Sequence, residues 1–108
     1  MDLLRNGTEA LTTEDLANLP ALYATEDQAL EEHVLRVKFF DPTGSWTWYA
    51  AEYDPVERLF FGWVEGFEGE WGYFSLDELL SVEGPLGLGI ERDLHWTPKK
   101  MSEVLKGR

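Results

Sequence analysis

The chain contains no cysteine among its 108 residues, which excludes disulfide bonds, thiolate nucleophiles, zinc fingers and iron–sulfur sites. It also lacks any apolar run near the roughly 20 residues that a membrane-spanning helix requires. Its first residues show neither the basic start nor the apolar segment of a signal peptide. These absences predict a cytoplasmic protein without a membrane partner.

Basic residues are scarce. Nine Lys and Arg stand against 21 Asp and Glu, which gives a formal net charge of −12. Affinity for nucleic acids comes mainly from basic side chains that displace counterions from phosphates, so this composition argues against direct nucleic-acid binding. Five of the nine basic residues lie in residues 92–108, which leaves long acidic stretches before them.

Aromatic residues, in contrast, are plentiful. They make up 14% of the chain, and 44% of the chain is hydrophobic. Acidic chains that stay disordered are poor in such residues, so this sequence is expected to fold. Its length suits a single domain over residues 1–108, with residues 1–10 left open to disorder.

Apolar residues recur with a period of two from Val34 onward. In residues 34–40 the alternation places Leu35, Val37 and Phe39 on one face of a strand. Further strands are predicted at 46–53, 59–65, 71–74 and, at the sheet edge, 90–96. The connections between them are short, which indicates antiparallel neighbours in a meander.

Capping signals predict short helices around this sheet. The cap residues are Thr12 or Thr13, Thr25, Ser75 and Thr97. Thr25 and Gln28 form a capping box for a helix to about residue 32, with Ala29 and Leu30 facing inward. The predicted fold is therefore α+β: an antiparallel meander sheet of four to five strands, with short helices before it, after the fourth strand and at the C-terminus.

The aromatic residues of the predicted strands outnumber what one face of a small sheet can cover. Trp46, Trp48 and Glu52 are predicted on one face of the second strand, and Tyr49 and Tyr53 on the other. Exposed Trp side chains commonly anchor protein interfaces. Five acids are expected to cluster beside these rings at neighbouring sheet ends. The predicted partner-binding residues are Glu52, Asp54, Glu65, Glu68, Glu70, Trp46, Trp48, Trp63 and Trp71.

A metal site is the alternative with the most specific spacing. Glu91, Asp93 and His95 would share one face of an extended strand, and two carboxylates with an imidazole can bind a divalent ion. His33 follows two acids and is interpreted as a helix-terminal histidine that faces the carbonyl end of the helix dipole. No catalytic residue and no cofactor is predicted.

Several motifs occur in order along the chain: Val37-Lys38-Phe39-Phe40-x-Pro42, Gly72-Tyr73-Phe74-Ser75-Leu76-x-Glu78-Leu79 and Gly84-Pro85-Leu86-Gly87-Leu88-x-Ile90-Glu91-Arg92-Asp93. Over residues 16–98 the chain resembles a family of small bacterial proteins that is known only as a domain of unknown function. Members of that family are often found on plasmids, conjugative elements and phage genomes. The resemblance implies a cytoplasmic accessory protein of mobile DNA, and it supplies no catalytic residues.

Three functional hypotheses follow. The leading one is a non-enzymatic, acidic protein-binding domain that engages a basic nucleic-acid-binding protein. Such a domain could inhibit host defence by DNA mimicry, because same-face carboxylates on a strand lie about 7 Å apart, close to the spacing of phosphates along an extended strand. The second is a metal-dependent or small-ligand-binding domain that uses Glu91, Asp93 and His95. The third is a homodimeric module that buries its surplus aromatic rings.

Overall fold

A five-stranded antiparallel sheet is the centre of the fold, as a computed structural model that describes residues 2–107 shows. The strands are β1 (Val34–Leu35), β2 (Val37–Phe40), β3 (Thr47–Asp54), β4 (Leu59–Glu65), β5 (Gly69–Ser75), β6 (Glu91–Arg92) and β7 (Lys99–Lys100). The large sheet has the order β5-β4-β3-β2-β6, and β1 pairs with β7 in a second, two-stranded sheet. Met1, in the segment left open to disorder, and Arg108, in the basic C-terminal segment, lie outside the described residues.

The helices are short and surround the sheet. They are α1 (Thr13–Asn18), α2 (Leu76–Ser81) and α3 (Met101–Lys106), with single 3-10 turns at Leu30–Glu32 and Pro85–Gly87. Together with the antiparallel sheet they confirm the α+β prediction. None of the helices in the described residues is long and apolar enough to cross a membrane.

Each face of the sheet carries its own hydrophobic core. The larger core contains Val37, Phe39, Ala50, Tyr53, Phe60 and Phe74 from the sheet, covered by Leu4, Ala10, Leu19, Leu76, Leu79 and Ile90. The second core contains Leu35, Tyr49, Ala51 and Met101, with Trp63, Trp71, Trp96 and Val104 packed against it. The second core is where several of the surplus aromatic rings are buried.

A β-bulge at Ala51 reverses the alternation of β3. The pairing of β3 with β4 skips Ala51, because β3 has one more residue than β4 at this point. Trp48 therefore packs against the larger core, whereas Glu52 lies on the opposite face. Tyr49 and Tyr53 likewise belong to different cores. The prediction that Trp48 shares a face with Glu52, and Tyr49 with Tyr53, is wrong for this reason.

The predicted strand 34–40 is interrupted at Arg36. Its amide donates to the carbonyl of Ala50 at 2.8 Å, and the chain changes partners there, from β7 to β3. Leu35, Val37 and Phe39 are all buried as expected. Leu35, however, packs in the second core while Val37 and Phe39 pack in the larger one, so their placement on a single face is wrong.

The N-terminal cap is confirmed. Thr12 and Asp15 form a reciprocal capping box at the start of α1. The segment before it carries Leu4 and Ala10 into the larger core. The second predicted helix is wrong: only the 3-10 turn Leu30–Glu32 forms, with Leu30 exposed. The hydroxyl of Thr25 does not cap a helix, because it donates a hydrogen bond to Glu52.

Two predictions near the C-terminus are also wrong. The fifth strand is only Glu91–Arg92, because Asp93 accepts a hydrogen bond from the amide of His95 at 2.9 Å and turns the chain. The last helix begins at Met101 with Lys100 as its cap, since the residues before it pair as β7. Its predicted end at Gly107 and the Ser75 cap of α2 are confirmed.

Asp15 ties α1 to the sheet edge, because its carboxylate is bonded by the guanidinium of Arg92. Burial raises the pKa of Asp15, but hydrogen bonds from Arg92 and from the Thr12 amide outweigh it, so the pKa lies below its ordinary value. We expect Asp15→Asn to lower the free energy of unfolding by about 2 kcal/mol at pH 7. A group whose pKa is lower in the folded state stabilises the fold above its unfolded pKa, and that contribution is lost as the pH falls through the folded pKa.

Urea unfolding of both proteins at pH 7, 5 and 3 tests this prediction. The gap between wild type and Asp15→Asn should be constant at the two higher pH values and smaller at pH 3. Glu14→Gln, an exposed neighbour in the same helical turn, should stay within about 0.5 kcal/mol of wild type. A gap that does not depend on pH would contradict the assignment to the charge of Asp15.

Candidate functional site

The hairpin tip, defined here as residues 65–70 together with Trp46, is the most exposed apolar feature of the sheet. The side chain of Phe67 is 97% exposed, and its ring meets the ring of Trp46 edge-on with centroids 5.8 Å apart. Trp46 also packs on Trp48 at 6.1 Å and covers Gly66, where a Cβ would lie only 2.4 Å from the indole. The close approach to Gly66 fixes the Trp46 ring beside Phe67.

Negative charge surrounds this apolar tip. Glu68 and Glu70 are exposed, and no cation of the described residues forms an ion pair with either of them. Some acids elsewhere do have cationic partners: Arg58 bridges Asp2 and Asp77, and its hydrogen bond lowers the pKa of Asp2. Glu68 and Glu70 therefore present negative charge that no ion pair within residues 2–107 neutralises.

The predicted partner-binding residues do not lie together in the structure. Trp46, Trp48, Glu65, Glu68 and Glu70 lie at or beside the hairpin tip. Asp54 lies at the opposite end of β3, about 23 Å away at 3.3 Å per residue. The expected cluster of all five acids is wrong, because the two ends of β3 are a full strand apart.

The other three predicted residues are on the second face of the sheet. Trp63 and Trp71 pack against the second core and contact each other at 5.6 Å. Glu52 is only 2% exposed, so its carboxylate is not part of a surface. Instead, Glu52 is the centre of a buried polar cluster.

This cluster joins Glu52 to Thr25 and His33. The amide of Tyr23 donates to Glu52 Oε1 at 2.9 Å, and the amide of Thr25 donates to Oε2 at 3.1 Å. The hydroxyl of Thr25 also donates to Oε2. His33, which is 3% exposed, has its Nδ1 3.1 Å from the same hydroxyl. Both oxygens of Glu52 are thus satisfied by neutral donors.

The direction of these bonds determines the tautomer of His33. A hydroxyl has one hydrogen, and Thr25 gives it to Glu52, so Thr25 can only accept from His33. Nδ1 of His33 therefore carries a hydrogen. Contacts with Phe61 at 6.1 Å and with Trp71 at 5.3 Å hold the imidazole from its other sides.

A pocket of about 260 Å³ opens beside the cluster, and we call it the aromatic pocket. Its walls are Tyr23, Glu26, Leu30, His33, Glu52, Phe61 and Tyr73. The rings of Tyr23 and Tyr73 are 6.5 Å apart and tilted by 58°, and those of Phe61 and Tyr73 are 5.2 Å apart and tilted by 53°. A hydrogen bond with Tyr23 raises the pKa of Tyr73.

Tyr23 takes a backbone conformation that is uncommon for a bulky residue. Its φ is 68°, in the left-handed region. Such conformations cost of order 1–3 kcal/mol and persist where the surroundings hold them in place. Here the hydrogen bond from the Tyr23 amide to the Glu52 carboxylate holds this conformation. The ring of Tyr23 is part of the pocket wall. Strain of this kind is concentrated at functional sites.

Comparison with known proteins identifies the family. The model of the family described as "Protein of unknown function (DUF2958)" matches residues 10–106. The chain belongs to this family. The resemblance noted in the sequence is thereby confirmed, and the family description assigns no activity. No curated protein and no solved structure matched the chain.

The predicted metal ligands Glu91, Asp93 and His95 do not form a metal site in this DUF2958 protein. Asp93 is held by Lys38 at 3.5 Å and by the amide of His95, so Glu91, Asp93 and His95 do not follow one extended strand. In the part of the chain that the structure describes, no group of three His, Cys, Asp or Glu side chains is placed to hold a metal ion.

Sequence reasoning missed most of the aromatic pocket of the DUF2958 fold. No motif in the sequence brings Tyr23, Phe61 and Tyr73 together, and the pattern around Thr25 predicts a helix cap. One signal was present: Glu52 is a lone carboxylate inside a strand of apolar and aromatic residues. Buried carboxylates need hydrogen-bond donors, so such a residue indicates a polar site that the fold must build around it.

Proposed function

We propose that the protein is a non-enzymatic, cytoplasmic binding protein that docks on a basic partner through its hairpin tip. The observation that carries this proposal is Phe67, whose exposed ring lies beside Glu68 and Glu70, two carboxylates that form no ion pair with a Lys or Arg of the described residues. A large apolar side chain in a polar surround is the usual composition of an interface anchor with its rim.

The two components of the tip have different roles in docking. Burial of Phe67 and Trp46 in an apolar recess would supply most of the affinity, since a few aromatic anchors dominate protein interfaces. Glu68 and Glu70, reinforced by the net charge of −12, would speed encounter with a basic surface and select against acidic ones. The partner is therefore expected to offer an apolar recess edged by Lys or Arg.

The finer proposal is that this partner is a nucleic-acid-binding protein of host defence and that the chain serves a mobile element. Surfaces that bind DNA are rich in Lys and Arg, and carboxylates can occupy the positions of phosphates there. The acids that support such mimicry are Glu68 and Glu70. Asp54 lies too far away to join them, and Glu52 is buried.

Affinity capture with matched variants tests the docking surface. We expect Phe67→Ala to weaken binding of the captured partner about 30-fold, the effect of losing an anchor worth 2 kcal/mol. The double change Glu68→Lys and Glu70→Lys should reduce binding mainly at low salt, because salt screens exposed charges. Duplex DNA should compete with the chain for a DNA-binding partner.

Glu57→Lys is the control for charge, because Glu57 is exposed in the turn between β3 and β4, at the opposite end of the sheet. It should bind like wild type. Equal loss with Glu57→Lys would contradict a local docking surface, and full binding by Phe67→Ala would contradict the anchor. If size measurements show dimers that Phe67→Ala dissolves, the tip pairs two copies and the proposal of a basic partner fails.

A further inference from the structure

We propose that the aromatic pocket binds a small organic cation that carries a methylated ammonium group. This site is separate from the hairpin tip: Phe61, in the pocket wall, and Glu65, at the tip, are four residues apart on β4, about 13 Å. The inference therefore does not depend on the proposed function.

The charge of the pocket selects a cation. Two carboxylates, those of Glu26 and Glu52, are among its walls, and none of the Lys and Arg side chains that the structure describes lines it. The donors to Glu52 are two amides and a hydroxyl, so its charge is solvated by dipoles, and it forms no ion pair with a described basic side chain. Buried charges are normally paired, and a bound cation would supply the missing partner.

The aromatic walls of the pocket also attract a cation. Rings of Tyr23, Phe61 and Tyr73 surround the cavity at different inclinations. The face of an aromatic ring carries the negative part of its quadrupole, and groups of such rings recognise quaternary ammonium ions. Each ring contact is worth roughly 0.5–2 kcal/mol, the larger value when the cation is desolvated.

The ring faces of the pocket favour a methylated ammonium over a primary one. Both oxygens of Glu52 already accept hydrogen bonds, and Nδ1 of His33 is held by Thr25. A primary ammonium has three N–H donors that each need an acceptor, and the acceptors that remain, chiefly the Glu26 carboxylate, stand among aromatic ring faces that offer none. A trimethylammonium has no N–H donor and matches rings and methylene groups. The volume of about 260 Å³ suits a head group of this size and not a drug-sized molecule.

Isothermal titration of the full chain with choline and two analogues tests the proposal. 3,3-Dimethylbutan-1-ol has the same shape without the charge, and ethanolamine has the charge without the methyl groups. We expect choline to bind saturably and each analogue to bind at least about tenfold more weakly, the effect of 1.4 kcal/mol. Nα-Acetyl-trimethyllysine amide, tested in parallel, distinguishes a free choline-like ligand from a methylated lysine side chain by which of the two binds more tightly.

Variants locate the binding. Tyr73→Leu and Tyr23→Asn each remove a ring, and Asn tolerates the left-handed backbone of position 23. Both should weaken choline binding about tenfold, and Glu26→Gln should weaken it severalfold. Phe67→Leu and Glu57→Gln are the matched controls at exposed positions outside the pocket, and they should bind choline like wild type. Circular dichroism checks that each variant is folded.

Three outcomes would overturn the proposal. The first is that neither methylated cation binds saturably at up to about 10 mM, a concentration that detects even millimolar affinity. The second is that choline and its neutral analogue bind equally well. The third is that folded Tyr73→Leu binds choline like wild type. Because the pocket and the hairpin tip share no residue, failure here would not bear on docking at the hairpin tip, and failure there would not bear on the pocket.

Discussion

Gly62→Ala is expected to destabilise the fold by about 4 kcal/mol or more, a large part of the 5–15 kcal/mol that holds a domain of this size. A Cβ at Gly62 would lie 1.7 Å from the carbonyl oxygen of Tyr49 and 2.8 Å from its carbonyl carbon. Both atoms belong to the backbone of β3, which cannot withdraw without breaking its hydrogen bonds to β4. The strands must separate at the point where the two cores meet across the sheet.

Gly72→Ala is the control for this prediction, because Gly72 is the direct partner of Gly62 in β5 and a Cβ there meets nothing within 4 Å. It should remain within about 0.5 kcal/mol of wild type or stabilise slightly, since alanine loses less backbone entropy than glycine. Urea unfolding followed by circular dichroism measures both variants. If both variants lose a similar free energy of unfolding, the contact with Tyr49 is not the cause, and the sheet disfavours replacement of glycine in general.

Glu52→Ala is expected to cost about 3–5 kcal/mol, the second large effect. The change leaves three partly buried donors without an acceptor: the amides of Tyr23 and Thr25 and the hydroxyl of Thr25. The segment that these donors anchor would detach, and the aromatic pocket would lose one wall. Thermal and urea unfolding at pH 7 measure the loss.

Glu52→Gln separates hydrogen bonding from charge. One amide oxygen still accepts, but the amide NH₂ faces donors of Thr25, so an intermediate loss of about 1–2 kcal/mol is expected. Glu70→Ala removes a carboxylate from an exposed position and should stay within about 0.5 kcal/mol of wild type. If Glu52→Ala costs no more than Glu70→Ala, the buried cluster does not hold this segment.

Elements with local signals were predictable from the sequence. The bounds of β4, Leu59–Glu65, match the prediction, and Thr12 and Ser75 cap their helices as expected. In each case the deciding interactions lie within a few residues: a turn on either side of the strand, or a side chain that bonds an amide three residues ahead. Such signals are complete in a short window of sequence.

Features that depend on distant partners were not predictable. Thr25 has the same local pattern as a helix cap, but Glu52, 27 residues later, accepts both its amide and its hydroxyl. Leu35 changes face because its strand pairs with Lys99, near the other end of the chain. A local sequence pattern cannot show whether a residue bonds a nearby partner or one that is remote in sequence.

The candidate surface was predictable in kind but not in extent. The surplus of aromatic rings was real, yet Trp63 and Trp71 are accommodated by a second core instead of the surface. That core requires α3, whose Met101 is buried beneath the sheet. Of the predicted anchors, Trp46 is the one that remains clearly exposed, at 38%. The partner-binding role of the tip residues stays a prediction.

The bulge at Ala51 has a consequence for which changes in length the chain can tolerate. Ala51 is the residue of β3 that the pairing with β4 skips, so its deletion would bring Glu52 directly after Ala50 without changing the β4 partner of either residue. Glu52 would stay on the face of the second core, and Tyr53 would stay in the larger core. Deletion of a paired residue of β3 has no such extra residue to absorb it and would make every residue on one side of the deletion exchange faces. Deletion of Ala51 should therefore be tolerated better than deletion of a paired neighbour, at the cost of the methyl group that Ala51 places in the second core.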